Sequence, residues 1–518
     1  MRLIEPITVR KIDVYIINNS LTTEIDLIGR AGEAVARHIK DMLKDIKHTP
    51  AKVVFLIGSG NNGADGVCAA SLLLGECDIT LIDMSFGREK SAGLLFYEDK
   101  LKSLGILPEK YTDATHSAVL SADIIVEAVF GSGARLPLPE WFSTLTDLMN
   151  RSGARLLAVD TPLGIDSLTG EVADGTPHYD RTLALSYIKC GTVSYPAREY
   201  AGEIFLDTLG IYGMAEDILV SEKTRYYTTQ SLASELLPKR AENSNKGSFG
   251  RLLTYLGSDE FAGASLLAHS AALRCGAGYV TSLGTKARNE ILMQSFPEII
   301  YKTVPSQDSL TDFDISKICD MSLCSTVTLV GCGCGNTKGL SRLVRALLNT
   351  DGGALVLDAD AINALANDQG REALKASKRE VVLTPHPLEL SRLFGVEVDK
   401  IQKDRMRIAE SFAKEYGVTL VLKGAGTVTT DGVTTYINSS GSSALAKAGS
   451  GDVLAGALSS LLASGGKDTV AISALSVYLH ATAGDSLADE YSNFGVTPSD
   501  LPRQIAKEIA RLEKLKET

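Results

Sequence analysis

Residues 53–74 read VVFLIGSGNNGADGVCAASLLL: an unbroken apolar run, a glycine turn and a helical pattern. A strand without polar alternation has to be covered on both faces, which belongs to parallel sheets flanked by helices. The same grammar recurs along the chain. Strands are expected at 53–57, 79–83, 123–129, 156–160, 182–186 and 204–207, with amphipathic helices such as 24–43 and 65–74 between them. A second series is expected at 251–256, 327–330, 354–358, 380–384, 419–423, 427–430 and 434–438, and a long helix begins near Gly451. The polar, charged stretch Tyr212–Gly247 separates the two series. This predicts an α/β protein of two domains, residues 1–215 and 246–518, joined by a linker at 216–245.

The 518 residues fit two or three domains. Lys plus Arg total 52 against 63 Asp plus Glu, a net charge of −11, and no basic run occurs. That argues against nucleic-acid and membrane-surface partners. An anionic ligand would have to be held by local backbone N–H groups, because the global field repels it. No apolar stretch reaches the roughly 20 residues that span a bilayer, and the N-terminal MRLIEPITVRKIDVYIINN is too broken for a signal peptide. The eight cysteines form no C-x-x-C; Cys332 and Cys334 lie near no His or second Cys pair. They read as reduced residues of a cytoplasmic enzyme, with neither a zinc site nor a disulfide framework.

Gly58, Gly60 and Gly63 match G-x-G-x-x-G, and Asp83 follows 20 residues after Gly63. This is a dinucleotide fingerprint or a plain strand-to-helix turn. The amides Asn61 and Asn62 and the carboxylate Asp65 fall within the loop, and no Tyr-x-x-x-Lys pair occurs, which argues against hydride transfer. In DIIVEAVFGSGARLPLP, Glu127 sits within an apolar run before a second glycine turn. A charge there needs a partner or a metal. In LLAVDTPLGID, Asp160 ends an apolar strand and reads as a general base or as a turn cap.

The second series carries its own loops. In AGSGDVLAG, a glycine turn precedes Asp452, which is either a helix cap or a base beside an anion hole. LVLKGAGT places Lys423 at a strand end, LTPHPLEL sets His386 between prolines, and VGCGCGN adds a third glycine turn. Asp358 and Asp360 in LDADAIN read as Mg²⁺-positioning groups or helix caps, and His480 as a satisfied core histidine.

Taken in order, GNNGADG, VFGSG and VDTPLGIDSLTG resemble the N-terminal half of the bifunctional NAD(P)H-hydrate repair enzymes. NKGSFGRLL, VGCGCG, LDADAIN, LTPHPLEL, LKGAGT and AGSGDVLAG resemble the C-terminal half. The resemblance covers about residues 10–510. It implies a Rossmann-like three-layer sandwich that epimerises hydrated NADH and NADPH (NADHX and NADPHX). It also implies a ribokinase-like domain that dehydrates the S epimer using ADP or ATP, in a homo-oligomer. Carried over by motif, the first half would hold its dinucleotide on Asn61, Asn62, Gly63, Ala64 and Asp65, and on Gly131, Ser132, Gly133, Ala134, Arg135, Leu136 and Pro137. Asp160 would be its acid/base, with K⁺ on Asn62, Glu127 and Leu163. In the second half Asp452 would be the base, and Mg²⁺ would accompany the nucleotide. Lys423, Gly424, Ala425, Gly426, Thr427 and Gly451 would contact the nucleotide; Ala264, Gly333, Gly335, His386 and Asp452 would contact the hydrated dinucleotide. The chain departs from the family pattern at Glu127 (usually Asp), Leu163 (usually Ser), Ala64 (usually Gly) and GCGCG. Other readings of the same residues are a dehydratase with a regulatory N-terminal half, a small-molecule kinase, and an NAD-dependent dehydrogenase.

Overall fold

The computed structural model describes residues 1–220, 223–465 and 468–517. The chain divides into two compact units, Arg2–Thr224 and Arg225–Thr518. In the first, the sheet runs in the order Glu109–Lys110, Asp78–Asp83, Lys52–Ile57, Ile124–Ala128, Arg155–Val159, Arg181–Leu185, Glu203–Asp207. Every neighbouring pair is parallel. Alternate residues divide between two cores. Val53, Phe55 and Ile57 pack with the helices Glu24–Leu43 and Asn61–Leu72 on one face. Val54 and Leu56 pack with Leu145 and Leu148 of the helix Trp141–Ser152 on the other. The result is the expected three-layer sandwich, in which period-two alternation feeds two apolar layers.

Strand order reverses direction between Lys52–Ile57 and Ile124–Ala128. At such a switch point the loops diverge and leave a crevice beyond the strand C-termini. The first glycine turn lies there. A Cβ on Gly58 would stand 1.8 Å from the Val129 carbonyl oxygen, and one on Gly63 would stand 2.1 Å from the Gly58 carbonyl. These glycines therefore bring helix, strand and neighbouring loop together. The helix begins at Asn61, earlier than the expected 65, so Asn61 and Asn62 occupy its first turn and not a free loop. Asn61 is held there by its bond to Glu24 Oε1 at 2.6 Å.

In the second unit the strands run Ile300–Thr303, Tyr279–Gly284, Arg251–Tyr255, Val327–Val330, Ala354–Leu357, Val381–Leu383, Thr419–Leu422, Val428–Thr430, Thr434–Asn438, Thr224–Thr228. They are parallel through Thr419–Leu422, after which two antiparallel pairings follow. Here too the order reverses, between Arg251–Tyr255 and Val327–Val330. The helix Ser450–Ala463 is apolar nearly all round and buried along its length, as a helix enclosed by neighbours must be. Part of the stretch expected as a linker is ordered structure: Thr224–Thr228 is a strand and Gln230–Leu236 a helix. Its polar composition misleads because Arg225, 4% exposed, is met by Glu410 at 2.7 Å instead of by water.

Because Gly58 has no space for a methyl group, Gly58→Ala should destabilise the N-terminal unit by about 1–3 kcal/mol. Urea unfolding followed on that unit's signal tests this; an unchanged midpoint would mean the turn can open.

Candidate functional site

The N-terminal crevice is a cavity of about 370 Å³, lined by Asn61, Asn62, Asp65, Gly131, Ser132, Gly133, Asp160 and Lys189, with Arg10 and Asp13 from the first helix. Asp160 follows the strand Arg155–Val159. Its Oδ2 accepts from the Ser132 amide at 3.0 Å. Its Oδ1 accepts from the Leu185 amide at 3.3 Å and from Lys189 Nζ. Lys189, 2% exposed, also donates to the Leu185 carbonyl at 2.9 Å. Asp160 holds φ at +73°, a conformation that costs a non-glycine residue of order 1–3 kcal/mol and that clusters at functional sites.

Two further carboxyl groups face the same lysine. Burial, followed by the charges of Asp160 and Asp13, pushes Asp65 well above the usual carboxylate range. Burial pushes Asp13 up to about 6, against the pull of Lys189. Sequence patterns do not single out Asp13, Arg10 or Lys189. The only signal was a lysine inside the apolar run LSYIKCG, whose charge the fold had to meet. The Arg10 guanidinium lies 3.5 Å from where a Cβ on Gly133 would stand, which brings a cation over the second glycine turn.

Other expected contacts lie elsewhere. Ala64 is fully buried and its N–H bonds the Gly60 carbonyl at 3.2 Å. Gly63 is a packing position. Ala134, Arg135, Leu136 and Pro137 lie outside the cavity lining. Asp83 is turned to Lys90 at 2.9 Å and to the Ser85 amide at 2.8 Å. Glu127 is fully buried, and its two oxygens accept from the Val129 and Leu163 amides, each at 2.8 Å. Burial pushes its carboxyl up to about 7, opposed by these N–H groups. The Leu163 side chain is itself buried in the apolar core, which leaves only its main chain for any ligand.

In the C-terminal unit the functional residues collect at the carboxyl edge of the sheet. Asp358, 2% exposed, accepts from Thr384 Oγ1 at 2.6 Å and from Lys423 Nζ at 2.9 Å on Oδ1, and from Cys332 Sγ at 3.3 Å on Oδ2. Lys423 also lies 3.9 Å from Glu389. Burial works against its charge, but Asp358 and Glu389 outweigh it, and the ammonium is held above its ordinary range. Asp452 stands in the first turn of Ser450–Ala463. Burial, and then Asp358, push it up to about 6. Asp360 accepts from the Gly335 amide at 2.7 Å and so fixes the third glycine turn. A Cβ on Gly331 would meet the Asp358 carbonyl oxygen at 1.9 Å, so the turn and the strand tip fit only with glycine there. Ala359, between the two aspartates, holds φ at +49°, a second strained position at a site.

His386 caps the helix Pro387–Phe394: its Nδ1 accepts from the Glu389 amide at 3.2 Å, and Glu389 accepts from the His386 amide at 2.8 Å. Burial and the charges of Lys423 and Arg392 lower it, so it is a neutral imidazole. Gly333 packs on Ala264 and Phe261. Gly451 faces Lys423, whose Nζ would stand 3.4 Å from a Cβ there. Arg405 donates to the Leu422 and Lys423 carbonyls and braces the turn that continues through Gly424, Ala425, Gly426 and Thr427. His480 is buried as expected but not satisfied: its Nε2 has no hydrogen-bond partner.

Two sheets, one parallel and one mostly so, each with a buried carboxylate at a strand tip and a glycine turn beside it, define an α/β enzyme with two centres. Comparison gives its family. Residues 252–507 match the family described as NAD(P)H-hydrate dehydratase, and residues 24–191 match YjeF-related protein N-terminus. The chain is 31% identical over 507 residues to the bifunctional NAD(P)H-hydrate repair enzyme Nnr of Moorella thermoacetica, covering 94% of this chain and 92% of that one. It is 31% identical over 491 residues to its Escherichia coli namesake, covering 92% and 88%. Among solved structures, an ADP/ATP-dependent NAD(P)H-hydrate dehydratase from Bacillus subtilis, co-crystallised with ATP and Mg²⁺, is 28% identical with a TM-score of 0.49, covering 56% of this chain and 99% of that one. The chain belongs to the family of bifunctional NAD(P)H-hydrate repair enzymes, which unite a dehydratase and an epimerase. No helix among the described residues is long and apolar enough to cross a membrane.

Glu127→Gln would turn an NH₂ group toward one of the two amides that Glu127 now accepts. The donor clash should cost about 1–3 kcal/mol, read as a lower thermal midpoint of the N-terminal unit.

Proposed function

We propose that residues 1–215 carry the epimerase and residues 246–518 the dehydratase, with Asp160 and Asp452 as their respective proton-transfer groups. The observation that carries this reading is common to both centres: a carboxylate at the C-terminal edge of a parallel sheet, paired with or close to a buried lysine and adjoining glycine-turn N–H groups. In the first centre, the turn at Gly131–Gly133 and Arg10 suit the pyrophosphate of NADHX or NADPHX. They offer local positive potential in a chain of net charge −11. Asp160 takes and returns the proton as the hydroxyl-bearing carbon inverts, and Lys189 holds it oriented.

In the second centre, Asp452 removes the proton of the ring hydroxyl as its oxygen attacks the terminal phosphoryl group of ADP or ATP. The N–H groups of the 449–451 turn stabilise the charge that builds on the phosphoryl oxygens. Phosphate then leaves, driven by the nitrogen lone pair of the ring. The neutral His386, Gly333, Gly335 and Ala264 border the dinucleotide, and the 423–427 turn with Gly451 borders the nucleotide. Asp358 and Asp360 offer hard oxygen donors that fit Mg²⁺, which would neutralise phosphate charge when bound.

Potassium fits the first half through Glu127, Asn62 and the main chain of Leu163. The supporting observation is a fully buried carboxylate on the strand leading to the Gly131 turn, against which the Asn62 amide packs: a Cβ on Gly131 would stand 2.9 Å from Asn62 Oδ1. The eight free cysteines suit a reducing, cytoplasmic setting. Phe494, 94% exposed, with Tyr491 nearby, offers the apolar surface that a homo-oligomer would cover.

An equilibrated mixture of R and S hydrates separates the two roles. With ADP or ATP present, the wild type should convert the whole mixture. Asp160→Asn should stop at the S fraction and then proceed at the spontaneous epimerisation rate. Asp452→Asn should lose dehydration by about 10²-fold or more while still exchanging the epimers. Dehydration surviving Asp452→Asn would overturn the assignment.

A further inference from the structure

Cys332 is the one residue of the dehydratase centre for which the proposed chemistry has no use. It is fully buried. Yet one ligand atom each from Cys332, Asp358 and Asp452 lies within 4.8 Å of the others, the only such group of His, Cys, Asp and Glu among the described residues. The three come from three elements: the turn after Val327–Val330, the tip of Ala354–Leu357 and the first turn of Ser450–Ala463. Their spacing is therefore set by sheet and helix packing, not by one loop.

The polar groups around the three are unevenly matched. Lys423 contacts Oδ1 of Asp358, and the thiol contacts Oδ2. Nearby, Ser450 Oγ and His480 Nε2 are buried without partners, and both residues are 7% exposed. His480 faces the main chain of Ser450 and the charge of Lys423. Asp452, less buried than the other two, gives the way in from solvent. A thiol with two carboxylates is a donor set for borderline-soft ions, whereas Mg²⁺ takes oxygen alone.

We propose that Cys332, Asp358 and Asp452 form a binding site for a thiophilic divalent cation of the zinc class. The ion inhibits dehydration by occupying Asp452, a consequence that rests on Asp452 being the base. Binding forms a metal–sulfur bond and two metal–oxygen bonds, and the Cys332 proton leaves to solvent. Affinity for the ion therefore rises with pH.

Cobalt(II) gives a direct view of the site, since a thiolate ligand produces a charge-transfer band in the near ultraviolet. Full-length protein stripped of metal should develop that band and saturate near one equivalent of Co²⁺, in the presence of excess Mg²⁺. Cys332→Ser keeps a hydrogen-bond donor for Asp358 and should lose the band, together with at least tenfold in Zn²⁺ affinity. Cys334→Ser should keep the band, because Cys334 is turned to the opposite core and donates to the Tyr255 carbonyl at 3.3 Å. No band, a band kept in Cys332→Ser, or one lost equally in Cys334→Ser overturns the site. In parallel, Zn²⁺ should slow dehydration by the wild type, with recovery on adding a chelator, and should leave Cys332→Ser at its own metal-free rate. Binding without inhibition would uphold the site and overturn the role of Asp452.

Discussion

A carboxylate buried at the end of a parallel strand must be met by donors, because an unpaired charge in that position costs several kcal/mol. This requirement organises both halves of the chain. Asp160 is met by the Ser132 and Leu185 amides and by Lys189; Asp358 by Thr384, Lys423 and Cys332. Each set draws on neighbouring strand tips, so the loops cannot shift without uncovering the charge. The glycines close the same gap from the backbone side: Gly331 allows its turn to approach the Asp358 carbonyl, and Gly58 allows the first turn to approach Val129. Asp160 and Ala359, two of seven non-glycine residues with positive φ among the described residues, stand at these tips. Their strain is sustained because the surrounding hydrogen bonds leave the chain no relaxed alternative.

The two centres balance their charge differently. Around Lys189 stand Asp160, Asp13 and Asp65, and burial pushes the Asp65 and Asp13 carboxyl groups up, Asp13 to about 6. Around Lys423 stand Asp358, Glu389 and, further out, Asp452, and there the lysine is held charged while Asp452 is pushed up. In the first centre, proton-carrying capacity is spread over several groups that face the cavity. In the second, burial pushes up both Asp452 and Glu389.

Much of this was legible in the sequence. Unbroken apolar runs located nearly all the long parallel strands to within a residue or so, because a strand covered on both faces has no polar position to confuse it. The strands Tyr279–Gly284 and Ile300–Thr303 escaped notice. The second lies at the sheet edge, partly exposed, where polar residues such as Lys302 are tolerated. The stretch expected as linker hid a strand because Arg225 pairs with Glu410, which is 185 positions away in sequence. The first site was half visible. Asp160 could be read from its strand tip, but Asp13 and Arg10 come from a helix whose sequence looks like any amphipathic surface. Their place in the cavity is a product of packing alone.

The departures from the family pattern show how local substitutions are absorbed. The Glu127 carboxylate accepts from two main-chain amides, and Leu163 joins the core while its N–H anchors the acid. The pair is consistent: a serine at 163 would add a donor where both carboxylate oxygens are already engaged. GCGCG is absorbed in a comparable way. Its two thiols point to opposite faces of the sheet, one into the core beneath Tyr255 and one onto Asp358. The Cys332 thiol, buried on its own side of the sheet, donates a bond that Asp358 accepts. In chemistry it is not neutral, because it places a soft ligand beside two carboxylates that otherwise suit only hard ions. A change tolerated for packing has thereby altered which cations the centre can hold.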